Sequence, residues 1–186
     1  MPDQHRIFEA HALLKAASFA ADRHRHQRRK DAAATPYINH PLTVAEILAA
    51  TDVTDVDVLA AALLHDTVED TETTLDEIAE RFGPRVAALV AEVTDDRSLP
   101  KAERKRLEVA RVAGKSKGAR LIKVADKISN LRDIADHPPQ WDAERVAAYR
   151  QFAADMIAGA RGLNSALDVL ADAELARAGM SGTVAR

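Results

Sequence analysis

The densest group of chemically capable side chains lies in AALLHDTVEDT, residues 61–71, where an apolar run gives way to four ionisable groups within six positions. On a continuous helix His65 and Glu69 share one face, and so do Asp66 and Asp70. The three carboxylates repel one another unless a cation neutralises them. The adjacent His–Asp pair can also offer an imidazole nitrogen and a carboxylate oxygen to one ion. The segment therefore indicates either a metal site or a solvated helix end.

Two other segments favour the metal site. His40, in TPYINHP, follows a polar loop and precedes a helix, and Asp126, in KVADKISNLRD, interrupts an apolar helix face. Taken singly, His40 fits a packed histidine, and Asp126 fits a surface residue paired with Lys123 or Lys127. Taken with the His–Asp pair, they form a ligand set by which a helical bundle can hold one divalent ion.

The composition and periodicity of the chain predict that helices carry these groups. The chain is rich in Ala, Leu, Glu and Arg, which favour helix, and aromatic residues make up only 4% of it. Apolar residues recur at three- and four-residue spacing in several segments, for example at Leu121, Val124, Ile128 and Leu131. No segment shows the alternating pattern of a half-buried strand. We predict an all-α bundle of roughly eight or nine helices.

Local signals suggest where some helices begin and end. Thr74 and Thr54 each fit a capping box, or a close variant, at a helix start. Gly83 is predicted to end a helix from about Leu75 to Phe82, and Pro84 suits the first turn of the next. The polar connection at 27–40 is long for a compact bundle, and such connections are often functional.

Bulk properties exclude several classes of protein. A chain of 186 residues fits one domain, which we expect over residues 1–180, with a flexible tail at 181–186. The absence of cysteine excludes thiol catalysis, disulfides and cysteine-ligated metals. A net charge of −3 argues against a nucleic-acid-binding protein, and no apolar run suits a signal peptide or a membrane span. We expect a cytoplasmic protein and leave its oligomeric state open.

Several longer strings resemble a known family. H…HD…D by itself is similar to the large superfamily of HD-domain metal-dependent phosphohydrolases. The longer strings resemble the hydrolase domain of RelA/SpoT-homologue proteins, and most closely the stand-alone small alarmone hydrolases of the metazoan SpoT-homologue type. The resemblance runs from about Phe19 to Leu170, and its strings are RRKDAAATPYINHP, ALLHDTVEDT, LVAEVTDD, LPKAERKR, KVADKISNLRDI and RVAAYRQFA.

The resemblance implies an HD-domain bundle around one metal site and a role for each matching residue. The implied manganese ligands are His40, His65, Asp66 and Asp126. The implied residues that position and deprotonate the attacking water are Glu69 and Asp70. The implied substrate contacts are Arg29, Lys30, Asn130, Lys101, Arg145 and Tyr149. Mixed imidazole and carboxylate ligation suits manganese but leaves iron, cobalt, nickel and zinc open. Ser129 departs from the family, since some relatives have an aromatic residue there, and this leaves the nucleoside pocket open.

The activity that the resemblance implies is removal of the 3′-pyrophosphate from guanosine tetra- and pentaphosphate (ppGpp and pppGpp). Two alternatives remain. One keeps the metal site but changes the substrate to another nucleotide, such as the 2′-phosphate of NADPH. The other is a catalytically silent nucleotide-binding module, against which the intact acidic pair counts. The expected partner in each case is a small nucleotide, not a nucleic acid or a membrane.

Overall fold

The computed structural model describes residues 3–180, which form helices joined by loops. Within that range nine α-helices are longer than one turn, which agrees with the predicted eight or nine, and no β-strand occurs. The helices are α1 (Asp3–Arg23), α2 (Asn39–Ala50), α3 (Val56–Leu64), α4 (Thr67–Asp70, a single turn), α5 (Leu75–Phe82), α6 (Pro84–Val93), α7 (Lys101–Arg111), α8 (Lys117–Asp136), α9 (Ala143–Ala160) and α10 (Ser165–Arg177), with a 3-10 turn at Val112–Gly114. The predicted tail at 181–186 lies outside the described residues.

Most of the predicted helix boundaries are confirmed. The Thr74 hydroxyl accepts a hydrogen bond from Glu77 N–H at the start of α5, and Gly83 ends that helix with φ 95°. Pro84 is the first residue of α6, where its missing N–H costs nothing. The predicted cap at Thr54 is wrong. Asp55 caps α3 instead, because its side chain accepts from the N–H groups of Asp57 and Val58.

Helix α8 forms the centre of the bundle. It packs against α2, α9, α10 and α6, and α3 packs against α1, α2 and α6. Its buried residues occupy several faces and include Ile122, Ile128 and Leu131. The polar residues Asp126 and Ser129 lie on the same helix and are buried as well. Polar groups at such depth need partners, since desolvation without a hydrogen bond is costly.

The HDTVED segment is not one continuous helix. α3 ends at Leu64, and Glu69 and Asp70 belong to the separate turn α4. Thr67 assists this break, because its hydroxyl donates to the Leu64 carbonyl at 2.7 Å, and such side-chain bonds compete with helical ones. The assumption of one continuous helix was therefore wrong, although Asp66 and Asp70 still share a helical turn, in which Asp70 N–H donates to the Asp66 carbonyl at 2.8 Å. The His–Asp pair lies at the junction, with the acidic pair beyond it.

The connection from α1 to α2 is an ordered loop. Arg29 N–H donates to the Thr35 carbonyl at 2.8 Å, and Tyr37 N–H donates to the Gln27 carbonyl at 3.2 Å. The carboxylate of Asp31 accepts from both the N–H and the hydroxyl of Thr35. The loop therefore holds Arg29 beside the start of α2. Among the described helices, none has the length and hydropathy that a membrane span requires.

Candidate metal centre and nucleotide cleft

Three buried side chains bring potential metal ligands together at the centre of the bundle. One donor atom from each of His40, His65 and Asp126 lies within 4.8 Å of the others. They come from the first turn of α2, the end of α3 and the middle of α8. Asp66 joins this donor cluster, because its Oδ2 lies 3.7 Å from His40 Nε2 and 3.1 Å from His65 Nε2. The structure thus brings the four predicted ligands to one place.

The orientation of both imidazoles fits a cation. The Nδ1 of His65 lies 2.8 Å from the Ala62 carbonyl, which can only accept, so Nδ1 carries a proton and Nε2 is the nitrogen that faces the donor cluster. That Nε2 atom is buried and has no hydrogen-bond partner of good geometry among the described residues. The Nδ1 of His40 is held at 3.0 Å by Ser129 Oγ, so its Nε2 also faces the cluster. A divalent ion would satisfy His65 Nε2, which lacks a hydrogen-bond partner and lies among carboxylates.

Neighbouring groups hold the two carboxylates of the donor cluster. The Tyr37 hydroxyl donates to Asp66 Oδ2 at 2.6 Å, and Asn130 Nδ2 donates to Asp126 Oδ1 at 2.6 Å. Lys127 Nζ donates to the other oxygen, Asp126 Oδ2, at 2.7 Å. Asp126 therefore has the lysine partner that the sequence suggested as an alternative and also belongs to the donor cluster.

Charges within the donor cluster shift its pKa values. Burial lowers the pKa of His40, which favours the neutral imidazole that binds metals. Burial opposes protonation of His65 as well, but the carboxylates of Asp66 and Asp126 and the hydrogen bond to the Ala62 carbonyl together raise the His65 pKa. Burial also works against ionised Asp66, yet His65 and His40 hold its pKa well below the usual range. The carboxylate is thus ionised, as a metal ligand must be.

Removing the Tyr37 hydroxyl should loosen this centre. In Tyr37→Phe the ring that packs 4.8 Å from the His24 ring remains, but the hydrogen bond to Asp66 is lost. Groups that orient metal ligands are typically worth about 10–100-fold in metal affinity or activity. We expect a loss of that size in Mn²⁺ affinity by calorimetry, with an unchanged melting temperature of the metal-free protein. If Tyr37→Phe kept both the metal affinity and the catalytic rate of the wild type, the role given to Tyr37 would be contradicted.

The acidic pair lies beside the donor cluster and is partly neutralised by arginines. Glu69 Oε2 accepts from the Asp95 N–H at 3.2 Å, and Gln27 Nε2 donates to Asp70 Oδ2 at 2.8 Å. Arg97 pairs with Asp70 and lies 3.6 Å from Glu69 Oε1. Burial raises the pKa of Glu69, and the charges that add to this effect are those of Asp95 and Asp66. Repulsion among the three carboxylates of this segment, which the sequence indicates, is thus not the main cause.

A cleft of about 600 Å³ opens onto His40 and Asp70. This volume suits a nucleotide-sized ligand. Four of the six predicted substrate contacts line it in the described part of the chain: Arg29, Lys30, Asn130 and Tyr149. Lys101 and Arg145 are not among the lining residues. Both are still close enough to lower the pKa of Lys30, after the larger effect of burial.

Positive charge and aromatic surface meet in this cleft. Arg29 is held by Asn130 Oδ1 at 2.7 Å and by Asp133 Oδ2 at 2.6 Å. The Arg145 guanidinium lies 4.3 Å from the centre of the Trp141 ring, and Trp141 packs 5.8 Å from the Tyr149 ring. Guanidinium groups bind phosphates, and aromatic faces can stack on a base. The cleft can therefore accept an anionic nucleotide.

Sequence reasoning assigned no role to five residues that the structure places at the site: Gln27, Tyr37, Arg97, Asp133 and Trp141. Tyr37 stands three residues before a predicted ligand, and Arg97 lies in the polar segment after α6, so both had a local signal. Ser129 does not line the cleft and lies under His40 instead. Its short side chain leaves room for the hydrogen bond to the imidazole, which the sequence alone could not indicate.

Comparisons with known proteins agree with this architecture. A model of the HD domain family matches residues 16–154. The chain belongs to the HD domain family. Human guanosine-3′,5′-bis(diphosphate) 3′-pyrophosphohydrolase MESH1 is 55% identical to this HD domain protein over 162 residues, which are 86% of this chain and 90% of the human one. The Mus musculus protein of the same name is 54% identical over the same shares.

A solved structure shows the same similarity in three dimensions. It is described as a metazoan ortholog of SpoT that hydrolyses ppGpp and plays a role in starvation responses. It matches this HD domain protein with a TM-score of 0.87 and 44% identity, covering 91% of this chain and 96% of that one. The predicted resemblance to RelA/SpoT-homologue hydrolases, and with it the predicted HD-domain fold, is confirmed.

Proposed function

We propose that this protein hydrolyses ppGpp and pppGpp to GDP or GTP and pyrophosphate. The observation that carries the proposal is the position of the donor cluster and the acidic pair, which lie together beside a cation-lined cleft. The activity in the names of its relatives agrees with that arrangement. Residues 1–180 would act as a single hydrolase domain, and the cytoplasmic location expected from the sequence stays a prediction.

His40, His65, Asp66 and Asp126 would hold one divalent ion. Their imidazole and carboxylate donors suit Mn²⁺, which we propose as the native metal, although the donor types also accept other borderline ions. When bound, such an ion would lower the pKa of a coordinated water and withdraw charge from the phosphoryl oxygens. Ser129, Ala62 and Tyr37 hold the ligands in the orientation this requires.

Glu69 and Asp70 would position the attacking water and take its proton. The water oxygen adds to the phosphorus attached to ribose O3′, and the bond from that phosphorus to O3′ breaks. The O3′ leaving group takes up one proton, so the products are the 3′-hydroxyl nucleotide and pyrophosphate. The raised pKa of Glu69 suits a group that first accepts and then gives up this proton.

The cations around the cleft would bind the phosphates of the substrate. Arg29 and Lys30 line the cleft, and Asn130, which donates to Asp126, would contact the substrate beside the metal. Tyr149 also lines the cleft, whereas Lys101 and Arg145 would act from outside its lining. Burial and the neighbouring cations, including Arg145 and Lys101, lower the Lys30 pKa. A bound polyanion would relieve that repulsion.

Purified protein loaded with Mn²⁺ should convert ppGpp to GDP and pyrophosphate, and a chelator should abolish the reaction. The products can be separated by ion-exchange chromatography, with NADPH as a parallel substrate. If the loaded protein dephosphorylates NADPH and leaves ppGpp intact, the alternative substrate replaces the proposed one. If it binds nucleotide but hydrolyses neither, the silent binding module is correct.

A further inference from the structure

Arg97 is the cation that links the acidic pair to the cleft. It lies between α6 and α7, lines the cleft and has a side chain that is 56% exposed. Its guanidinium pairs with Asp70 Oδ1, and its Nε is 3.6 Å from Glu69 Oε1. The turn that presents it is held by Asp96, whose carboxylate accepts from the N–H and hydroxyl of Ser98. The backbone beside Arg97 is therefore fixed, while its side chain extends to the proposed catalytic carboxylates.

Geometry limits which part of the substrate can reach Arg97. The water that Glu69 and Asp70 position must attack the phosphorus attached to O3′, so that phosphorus lies next to the acidic pair. The outer phosphate of the 3′-pyrophosphate is bonded to it through a single oxygen. The outer phosphate must therefore lie close to the carboxylates of Glu69 and Asp70, which Arg97 already contacts. The nucleoside end would then face the Trp141 and Tyr149 rings, which line the same cleft.

Arg29 and Arg145 are less available than Arg97. Arg29 is held by Asn130 and Asp133 through three short hydrogen bonds. Arg145 packs on the Trp141 ring. Arg97 instead pairs with Asp70 through a side chain that is more than half exposed, so solvent reaches the guanidinium and screens the attraction. Because a guanidinium binds phosphate oxygens bidentately, a pyrophosphate can replace that partner.

We propose that Arg97 leaves Asp70 and binds the outer phosphate of the 3′-pyrophosphate when substrate enters, so that it selects a 3′-pyrophosphate over a 3′-monophosphate. The inference rests on the proposed function. Arg97 then has two partners in turn. In the free enzyme it neutralises Asp70, and in the substrate complex it neutralises the leaving pyrophosphate and frees Asp70 Oδ1 toward the water.

The test compares two substrates that differ only in the outer phosphate: ppGpp and the analogue with a 3′-monophosphate. Arg97→Ala should lower kcat/KM for ppGpp by about tenfold or more, the size of a charge-assisted phosphate contact, and change that for the analogue far less. The inhibition constant of inorganic pyrophosphate, at fixed free Mn²⁺, should rise by a similar factor, and that of GDP should stay constant. Arg97→Lys should recover part of the loss.

Arg106→Ala is the matched control, because Arg106 is an exposed arginine paired with Glu103 on α7 and its loss removes the same charge. It should leave both substrates unaffected. Equal losses on the two substrates in Arg97→Ala would overturn the proposal, as would faster turnover with unchanged pyrophosphate inhibition. If the wild-type protein hydrolyses neither substrate, the proposed function fails. Calorimetry with pyrophosphate then still decides whether Arg97 binds it.

Discussion

Asp66→Asn is expected to abolish metal binding and to lower ppGpp hydrolysis by about a thousandfold or more. A bound divalent ion supplies several kcal/mol of charge stabilisation to phosphoryl transfer, and about 1.4 kcal/mol changes the rate tenfold. Asp66 Oδ2 lies within 3.7 Å of the Nε2 atoms of both His40 and His65, so its charge is central to the cation site. The amide keeps the size of the side chain and an oxygen that can still accept from Tyr37. The loss should therefore come from the charge.

The measurements for Asp66→Asn are metal content after dialysis, Mn²⁺ affinity by calorimetry and the rate on ppGpp. Asp76→Asn is the control, because Asp76 is an exposed carboxylate in the first turn of α5 and its neutralisation changes the net charge equally. It should retain metal and activity. Full metal occupancy in Asp66→Asn, or a rate near that of the wild type, would show that the donor cluster does not hold the catalytic ion.

The sequence predicted which potential metal donors the fold brings together, because such donors are few in kind and stand out against apolar residues. His65 and Asp66 follow an apolar helix and Asp126 interrupts another, whereas His40 follows a polar loop and is linked to them by its residue type. Helix α5 was predicted to the residue, because Thr74 and Gly83 act locally and need no tertiary partner. Such features depend on neighbours within a few positions.

The features that the sequence did not predict are one local hydrogen bond and several contacts between distant segments. The break after Leu64 was hidden because His65 and Asp66 keep near-helical backbone angles, and only the Thr67 hydroxyl interrupts the pattern. From the sequence alone, repulsion among Asp66, Glu69 and Asp70 is the expected influence on the pKa of Glu69. In the fold Arg97 lies against Asp70, and burial acts on Glu69 instead. The cause of the Glu69 pKa shift cannot be inferred without knowing which loop packs over the acidic pair.

Glu69→Gln is expected to keep the metal and lose turnover. Glu69 is not one of the three buried donors His40, His65 and Asp126. Its carboxylate accepts from the Asp95 N–H, and Arg97 and Arg104 each lie 3.6 Å from its Oε1. Glutamine retains an oxygen for the Asp95 N–H but cannot accept a proton from water near neutral pH. General-base groups contribute about 10²–10⁴-fold, so kcat should fall by that factor with little change in KM.

The comparison that tests this division of roles is between Glu69→Gln and Asp66→Asn. Each variant removes one negative charge, and the two positions lie about one helical turn apart. Only Asp66→Asn should release Mn²⁺, because only Asp66 contacts the imidazole nitrogens. Glu72→Gln, at an exposed position just beyond α4, should behave as the wild type. Loss of metal from Glu69→Gln would make Glu69 a ligand. A wild-type kcat in Glu69→Gln would show that the general base is instead Asp70, the neighbouring carboxylate whose Oδ2 accepts from Gln27.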